Sequence, residues 1–200
     1  AILRASVMVL LVAMPGLLLP GVSGDGTQLT AFFALIIGVL VFIEYSSGAP
    51  TMIEFREAPP YNRMRLIFLI VIVFLLTLMM RGMYFETPFA EPLHALATSL
   101  GQALDFKYSP VRLSVLMLPQ DASETTISLV RAFAGIGYVL SFLSVGVFAL
   151  FLRYCKWPGR NGQFNVLTNL PMFDPTSGGD VVERLSRGGR INLIFGFLLP

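Results

Sequence analysis

Long apolar runs separated by short polar stretches dominate the hydrophobic pattern of this chain. The runs that approach the roughly 20 residues needed to cross a bilayer core as a helix cover residues 5–22, 29–46, 64–84 and 126–154. They are continuous rather than alternating, which favours helices over the strands of a membrane barrel. Lipid offers no hydrogen bonds to a bare backbone, so such spans must be helical. The pattern predicts an all-α integral membrane protein, a polytopic bundle of four transmembrane helices within residues 1–154.

Prolines and candidate cap residues set the expected ends of these spans. Pro15 is expected to kink or interrupt the first span. Pro59 and Pro60 stop any continuous helix before the third span, because proline lacks the backbone N–H that a helix interior requires. Asp121 stands where a capping box would begin, so the fourth helix is expected to start near Ala122.

The segment between the third and fourth spans, residues 86–123, is long and not simply polar. Within it, apolar side chains recur at intervals of three and four, at Phe89, Leu93, Leu96, Leu100 and Leu104. This spacing forms one stripe along a helix. It predicts an amphipathic helix that lies along the outer membrane surface or against a partner.

After the fourth span, residues 155–190 form a turn-rich tail in which residues 179–187 are compatible with a short basic helix. Residues 191–200 are apolar but too short to span, and they are interpreted as the start of a fifth span. This apolar end, together with a first residue other than methionine, indicates a piece of a longer chain.

Arginine and lysine predict the orientation of the spans, since cytoplasmic loops carry an excess of both. A cytoplasmic N-terminus puts most of these residues inside: Arg4, Arg56, Arg63, Arg65, Arg153, Lys156, Arg160, Arg184, Arg187 and Arg190. It leaves Arg81, Lys107 and Arg112 outside, with Arg131 near the outer end of the fourth span. The bias predicts a multi-pass protein of a bacterial cytoplasmic (inner) membrane with its N-terminus in the cytoplasm, so that the tail is cytoplasmic.

Composition supports a membrane protein and excludes several classes of site. Hydrophobic residues make up 55% of the chain and charged residues 13%, against about 25% charged in soluble domains. A net charge of +2 without a dense basic tract gives no reason to expect nucleic acid. The single cysteine, Cys155, excludes an intramolecular disulfide and a thiolate metal cluster. The single histidine, His94, is expected to be a surface or hydrogen-bonded residue rather than a ligand, so no metal is predicted.

Arg131 is the charge that lies deepest within a predicted span, and such charges are usually paired or functional. The favoured interpretation is that its side chain reaches outward or pairs with Glu86, Glu91 or Asp105. Contact with an anionic solute or with another subunit are the alternatives.

Glu44, near the inner end of the second span, is the other candidate among the charges. A proton relay would need further ionisable groups at membrane depth. We therefore expect a salt bridge to Arg63 or Arg65, or simple exposure at the interface. Arg63 and Arg65 themselves are expected at the lipid headgroups.

Small side chains recur at intervals of three and four along the fourth span, at Ala134, Gly137, Ser141 and Ser144. Small residues let helix backbones approach closely in lipid, so this stripe predicts a packing face. The sequence leaves open whether the face meets this chain or another protein.

No catalytic residues are predicted, because the sequence has no Walker loop, G-x-S-x-G or H-E-x-x-H motif and no paired carboxylates at membrane depth. The expected function is a non-catalytic accessory or scaffold subunit of a larger membrane complex, photosynthetic or respiratory, and not an enzyme. Its expected partners are other membrane subunits and phospholipids. No cofactor is predicted, and a bound lipid or pigment stays open. The alternative is a transport protein, or a subunit of one, that uses Arg131.

Overall fold

The computed structural model describes residues 1–48, 51–53, 55–56, 59–85, 88–155, 169–170 and 180–198. These residues form helices and no strand, which confirms the all-α prediction for this part of the chain. In chain order the helices are α1 (Ile2–Leu18), α2 (Gly24–Ser46), α3 (Pro59–Gly82), α4 (Ala90–Ala103), α5 (Pro110–Leu116), α6 (Glu124–Cys155) and α7 (Val181–Leu198).

Three helices in the described residues are long and apolar enough to cross a membrane: Gly24–Ser46, Tyr61–Gly82 and Glu124–Cys155. They correspond to the second, third and fourth predicted spans, and they make this a helical membrane protein. The helix of the first predicted span, α1, has 17 residues. At 1.5 Å per residue it is about 25 Å long, shorter than a hydrocarbon core of about 30 Å. The fourth span therefore stays a prediction.

Pro15 does not interrupt α1, which continues to Leu18. The N–H of Leu19 donates to the Pro15 carbonyl oxygen at 3.0 Å, so this proline lies in the last turn of the helix. Because proline has no backbone N–H, position 15 cannot donate to the carbonyl oxygen of Leu11, and α1 ends one turn after the proline.

Serine side chains begin three of the helices. The Oγ atoms of Ser23, Ser109 and Ser123 accept backbone N–H groups three residues later, at 3.0–3.2 Å. Each bond satisfies a donor that a helix N-terminus leaves without a partner. Asp121 was the expected cap of the fourth span, and this prediction is wrong because Ser123 takes that role for α6.

The chain falls into two compact units, of which the first comprises Ala1–His94 and Leu140–Met172. Here α1 packs against α2 and α3. At the α1–α2 contact, a Cβ on Gly38 would lie 2.4 Å from Cγ2 of Val9. Near the end of α1, Arg81 of α3 donates to the carbonyl oxygen of Leu18. A cation at a helix C-terminus satisfies an unpaired carbonyl and opposes the negative end of the helix dipole.

The second unit comprises Ala95–Val139 and Phe173–Pro200. In this unit α4 and α6 meet at Gly101 and Gly135. A Cβ on Gly135 would lie 2.6 Å from the Cα of Gly101, and a Cβ on Gly101 would lie 2.5 Å from the Arg131 carbonyl oxygen. Neither position therefore has room for a larger side chain, and the two backbones approach as closely as small residues allow.

Helix α4 forms where the apolar stripe predicts a helix, but the stripe is not its most buried face. Its buried residues are the small ones, Ala90, Ala97 and Gly101, whereas Phe89 and Leu96 are exposed. The closest backbone approaches of α4 are made at its small residues, Ala90 and Gly101.

Helix α7 joins two segments that the sequence separates, since it covers both the predicted short basic helix and most of residues 191–200. It is not among the candidate spans. The rest of the tail, residues 156–168 and 171–179, lies outside the described residues.

Candidate functional site: two charged clusters

Glu44 lies in the last turn of α2, and only 2% of its surface is exposed. Its Oε1 accepts the backbone N–H groups of Thr51 (2.7 Å), Met52 (3.1 Å) and Ile53 (3.2 Å). Its Oε2 accepts the Thr51 hydroxyl at 2.5 Å. Successive N–H groups converging on one carboxylate form an anion-binding concavity. The Glu44 side chain of α2 fills this concavity, so the arrangement holds residues 51–53 onto the end of α2.

Arg56 closes the same loop from the other direction. Its Nη1 donates to the carbonyl oxygens of Glu44 (2.6 Å) and Ser47 (3.1 Å), at the C-terminus of α2. Its guanidinium carbon is 6.0 Å from the centre of the Tyr45 ring, and that of Arg4 is 4.1 Å from the same ring. A cation near an aromatic face is attracted by the ring quadrupole. Two arginines and one tyrosine thus tie α1, α2 and the loop together.

The expected pairing of Glu44 with Arg63 or Arg65, or its exposure, is wrong. The carboxylate is buried and holds four hydrogen bonds from residues 51–53, whereas Arg63 and Arg65 are exposed on α3. Backbone N–H groups seven to nine residues along the chain satisfy the charge without ordering a long side chain, which an arginine partner would require.

A second group of charges, here named the Asp105 cluster, consists of Asp105, Arg112 and Arg131. Oδ1 of Asp105 is 2.8 Å from Nε of Arg112, and Oδ2 is 2.7 Å from Nε of Arg131. The contact at Oδ1 is an ion pair only, since no donor in the described residues is aligned with that oxygen. The Asp105 side chain is 8% exposed, against 26% for Arg131 and 41% for Arg112. Two cations share one buried anion, which leaves the cluster with one net positive charge.

Local structure around α4 and α5 assembles this cluster. Asp105 follows the end of α4, and Tyr108 then turns the chain with a φ of +69°. Ser109 caps α5 by accepting the Arg112 N–H at 3.0 Å, so Arg112 lies in the first turn of that helix. The close approach of α4 and α6 brings Arg131 to the same carboxylate.

Asp105 is one of the three carboxylates that the sequence offers to Arg131. Glu91 is exposed on α4, and Glu86 lies outside the described residues. Arg112 was not expected to join this pair. The sequence signal for Arg112 is the helix start at Ser109 and Pro110. This start lies between Asp105 and Arg112 and returns the chain toward Asp105.

His94 contacts the backbone of α3 rather than a set of ligands. Its Nε2 is 3.2 Å from the Met79 carbonyl oxygen, and the ring is half-buried. An imidazole N–H donating to a carbonyl is an ordinary structural role for a histidine.

The predicted small-residue stripe of α6 makes no close backbone contact that the structure describes. A Cβ on Gly137 would meet nothing within 4 Å, and Ser141 is exposed. Ala134 and Ser144 are half-buried, and the Ser144 hydroxyl donates to the Ser141 carbonyl at 2.6 Å. The close contact in α6 is made by Gly135 instead. The stripe stays a prediction for contact with another protein.

An apolar groove of about 470 Å³ runs between α1 and α2. Val9, Leu35 and Phe42 are among the side chains that line it, and Gly38 forms part of its floor. Its lining is almost entirely hydrocarbon, so it suits an acyl chain or an apolar side chain rather than a polar substrate.

The described residues contain no group of three or more histidine, cysteine, aspartate or glutamate side chains that could hold a metal ion. In the first cluster the Glu44 carboxylate accepts hydrogen bonds from residues 51–53, and in the second one aspartate is shared by two arginines. No protein-family model, curated protein or solved structure matches this chain.

Proposed function

We propose that this chain is a non-catalytic accessory subunit that helps to hold a larger membrane complex together. The observation that carries the proposal is the exposure of its spans. In each of the three candidate spans, only 11% of the residues in the most apolar window are buried within the chain. The other apolar side chains are partly or fully exposed, and they can contact lipid or the helices of other proteins.

The inner half of α6 is the clearest example of such a surface. Phe142, Leu143, Val145 and Leu150 are all exposed although they point in different directions around the helix. On the remaining side, Phe148 packs edge-to-face on Tyr61 of α3, with ring centres 5.2 Å apart. The exposed side chains Leu143, Val145 and Leu150 suit contact with neighbouring helices.

The two buried carboxylates, Glu44 and Asp105, also support a structural role. The Glu44 carboxylate accepts hydrogen bonds from the loop that follows α2, and Asp105 is shared by two arginines. A general acid or base needs to reach the proton that it transfers, within about 3 Å. Neither carboxylate is presented for that purpose.

Location and orientation are part of the proposal. The bias of arginine and lysine supports a bacterial cytoplasmic membrane with the N-terminus inside. In this orientation α4 lies along the outer surface and α1 is a fourth, short span. A photosynthetic or respiratory assembly is the proposed host, because such complexes are built from many helical subunits.

Transport has less support. It depended on a helix broken at Pro15 and on an Arg131 available to an anionic solute. Helix α1 continues past Pro15, so it does not form the broken helix on which a solute site would depend.

Purification of the tagged full chain from its native membrane in a mild detergent tests the proposal. Other membrane subunits should accompany the chain in a fixed ratio, measured by quantitative mass spectrometry. A folded, lone monomer obtained under conditions that preserve known complexes of the same membrane would contradict an accessory role.

A further inference from the structure

We propose that the Asp105 cluster binds the headgroup phosphate of an anionic phospholipid. This inference goes beyond the accessory role and does not depend on it. It concerns a specific lipid site rather than general contact with the bilayer.

Unused hydrogen-bond donors are the first argument. Both arginines contact Asp105 through Nε. In the described part of the chain, neither terminal amino group of Arg131 has an acceptor, and Arg112 adds only a 3.5 Å contact from Nη2 to the Asp105 carbonyl oxygen. Because both Nε atoms contact one carboxylate, the two guanidinium groups lie close together. Each keeps terminal N–H donors near the shared carboxylate, and arginine N–H donors of this kind recognise phosphate.

Charge complementarity is the second argument. Two arginines and one aspartate leave a net charge of +1 on the cluster, and a phosphodiester carries a charge of −1. Asp105 alone cannot neutralise both cations, so a second anion completes the balance. Since Arg131 is mostly buried, the remaining charge is poorly screened by water, which strengthens its attraction for that anion.

Membrane depth is the third argument. Residues 132–152 of α6 carry no charged side chain, and this run has about the length, roughly 20 residues, that crosses a hydrocarbon core. Arg131 and Arg153 bracket the run, so Arg131 lies where the hydrocarbon ends and the phosphate groups begin.

The loop beside the cluster provides the fourth argument. Phe106 and Tyr108 are exposed, and the Lys107 ammonium is 5.0 Å from the Tyr108 ring. Tyr108 is 75% exposed yet has a left-handed backbone with φ of +69°. Such a backbone is costly for a residue other than glycine and is often found at functional positions. Exposed aromatic and lysine side chains in one loop are typical of the headgroup region.

The site is tested by titrating the purified full chain with phosphatidylglycerol. Native mass spectrometry measures how much lipid is bound. Phosphatidylglycerol should bind more tightly than zwitterionic phosphatidylcholine. Arg112→Gln should weaken phosphatidylglycerol binding about fivefold, which corresponds to one arginine contact with anionic lipid. Asp105→Asn should strengthen binding, because it removes the competing carboxylate. A purely structural cluster would give no such opposite effects.

Controls separate this site from general charge and from free anions. Arg187→Gln removes the same charge from α7 and should leave phosphatidylglycerol binding unchanged. Excess inorganic phosphate should not displace the lipid, since a lipid site also uses the apolar chains. Equal lipid binding by wild type and Arg112→Gln would overturn the proposal, as would displacement by phosphate. If Arg112→Gln does not fold, Arg112→Lys serves instead. Arg112→Lys keeps the positive charge but loses the planar arrangement of donors. In that case Asp105→Asn decides the test, and unchanged phosphatidylglycerol binding in Asp105→Asn would overturn the proposal.

Discussion

Gly101 of α4 and Gly135 of α6 touch through their backbones, and this contact sets the position of the Asp105 cluster. Asp105 lies one turn after Gly101, and Arg131 lies one turn before Gly135. Their ion pair of 2.7 Å joins the segment that follows α4 to α6, beside this contact. The packing of small residues and the pairing of charges act on one interface and stabilise each other.

Gly135→Ala should destabilise the chain, whereas Gly137→Ala should not. A new Cβ at position 135 would lie 2.6 Å from backbone atoms of Gly101, but at position 137 it would meet nothing within 4 Å. Overpacking costs about 1–3 kcal/mol, while replacing glycine by alanine within a helix gains up to about 1 kcal/mol. Denaturant unfolding in detergent should show a loss for Gly135→Ala and a small gain for Gly137→Ala. Equal shifts in the two variants would contradict the close contact.

Glu44→Ala should release the loop that follows α2. Removing the carboxylate leaves three backbone N–H groups without their acceptor, and each buried unsatisfied donor costs about 1–3 kcal/mol. Water reaching the loop would reduce that cost. Limited proteolysis should therefore cleave residues 47–56 faster, while the helices stay folded by circular dichroism. Glu91→Ala, which removes an exposed glutamate of α4, is the matched control and should leave the cleavage rate unchanged.

Double-mutant cycles should rank the ion pairs of the chain by burial. The Asp105–Arg131 pair has side chains 8% and 26% exposed, and its coupling free energy is expected at about 1–3 kcal/mol. The Glu183–Arg187 pair of α7 is almost fully exposed, with a separation of 3.4 Å, and should give about 0.3–0.5 kcal/mol. Unfolding free energies of the single and double alanine variants provide both values. A coupling for Asp105–Arg131 no larger than that of the exposed pair would exclude a stabilising role for the cluster.

The spans themselves were predictable, because an uninterrupted apolar run long enough to cross lipid has few other outcomes. The buried face of α4 was not. Leucines and small residues both recur at helical spacing there, and lipid accommodates exposed leucine as readily as a protein neighbour does. Hydrophobicity therefore cannot tell which stripe touches another helix. The fit of Gly101 against α6 decides it.

Charge partners were predictable only in part. Asp105 was among the carboxylates considered for Arg131, but three-dimensional distance was needed to select it. The partners of Glu44 are backbone N–H groups, which every residue except proline possesses, so residue type gives no signal for them. Arg63 and Arg65 are the partners that the sequence suggests for Glu44, but both are exposed on α3.

Cysteine labelling should report the orientation directly, because Cys155 is the single cysteine and is exposed at the end of α6. In sealed inverted membrane vesicles, a membrane-impermeant maleimide should label Cys155. The same reagent should fail to label Lys107→Cys made in a Cys155→Ser background, because the proposed orientation puts position 107 inside those vesicles. Detergent should then make position 107 reactive. The opposite pattern would reverse the orientation, and labelling of both positions before detergent would contradict a membrane crossing between them.

Leucine at position 137 should disrupt contact with other subunits without unfolding the chain. Gly137 belongs to the predicted small-residue stripe of α6 and has open space beside it, so the isolated chain should tolerate the larger side chain. Gly146 is a matched control, since it also has nothing within 4 Å and lies nine positions along the same helix, on the opposite face. Quantitative co-purification should lose partner subunits in Gly137→Leu and retain them in Gly146→Leu, with similar unfolding of both isolated variants. If the partners are retained in both variants, the stripe faces lipid, and the docking surface must be sought on another face of α6 or on α3.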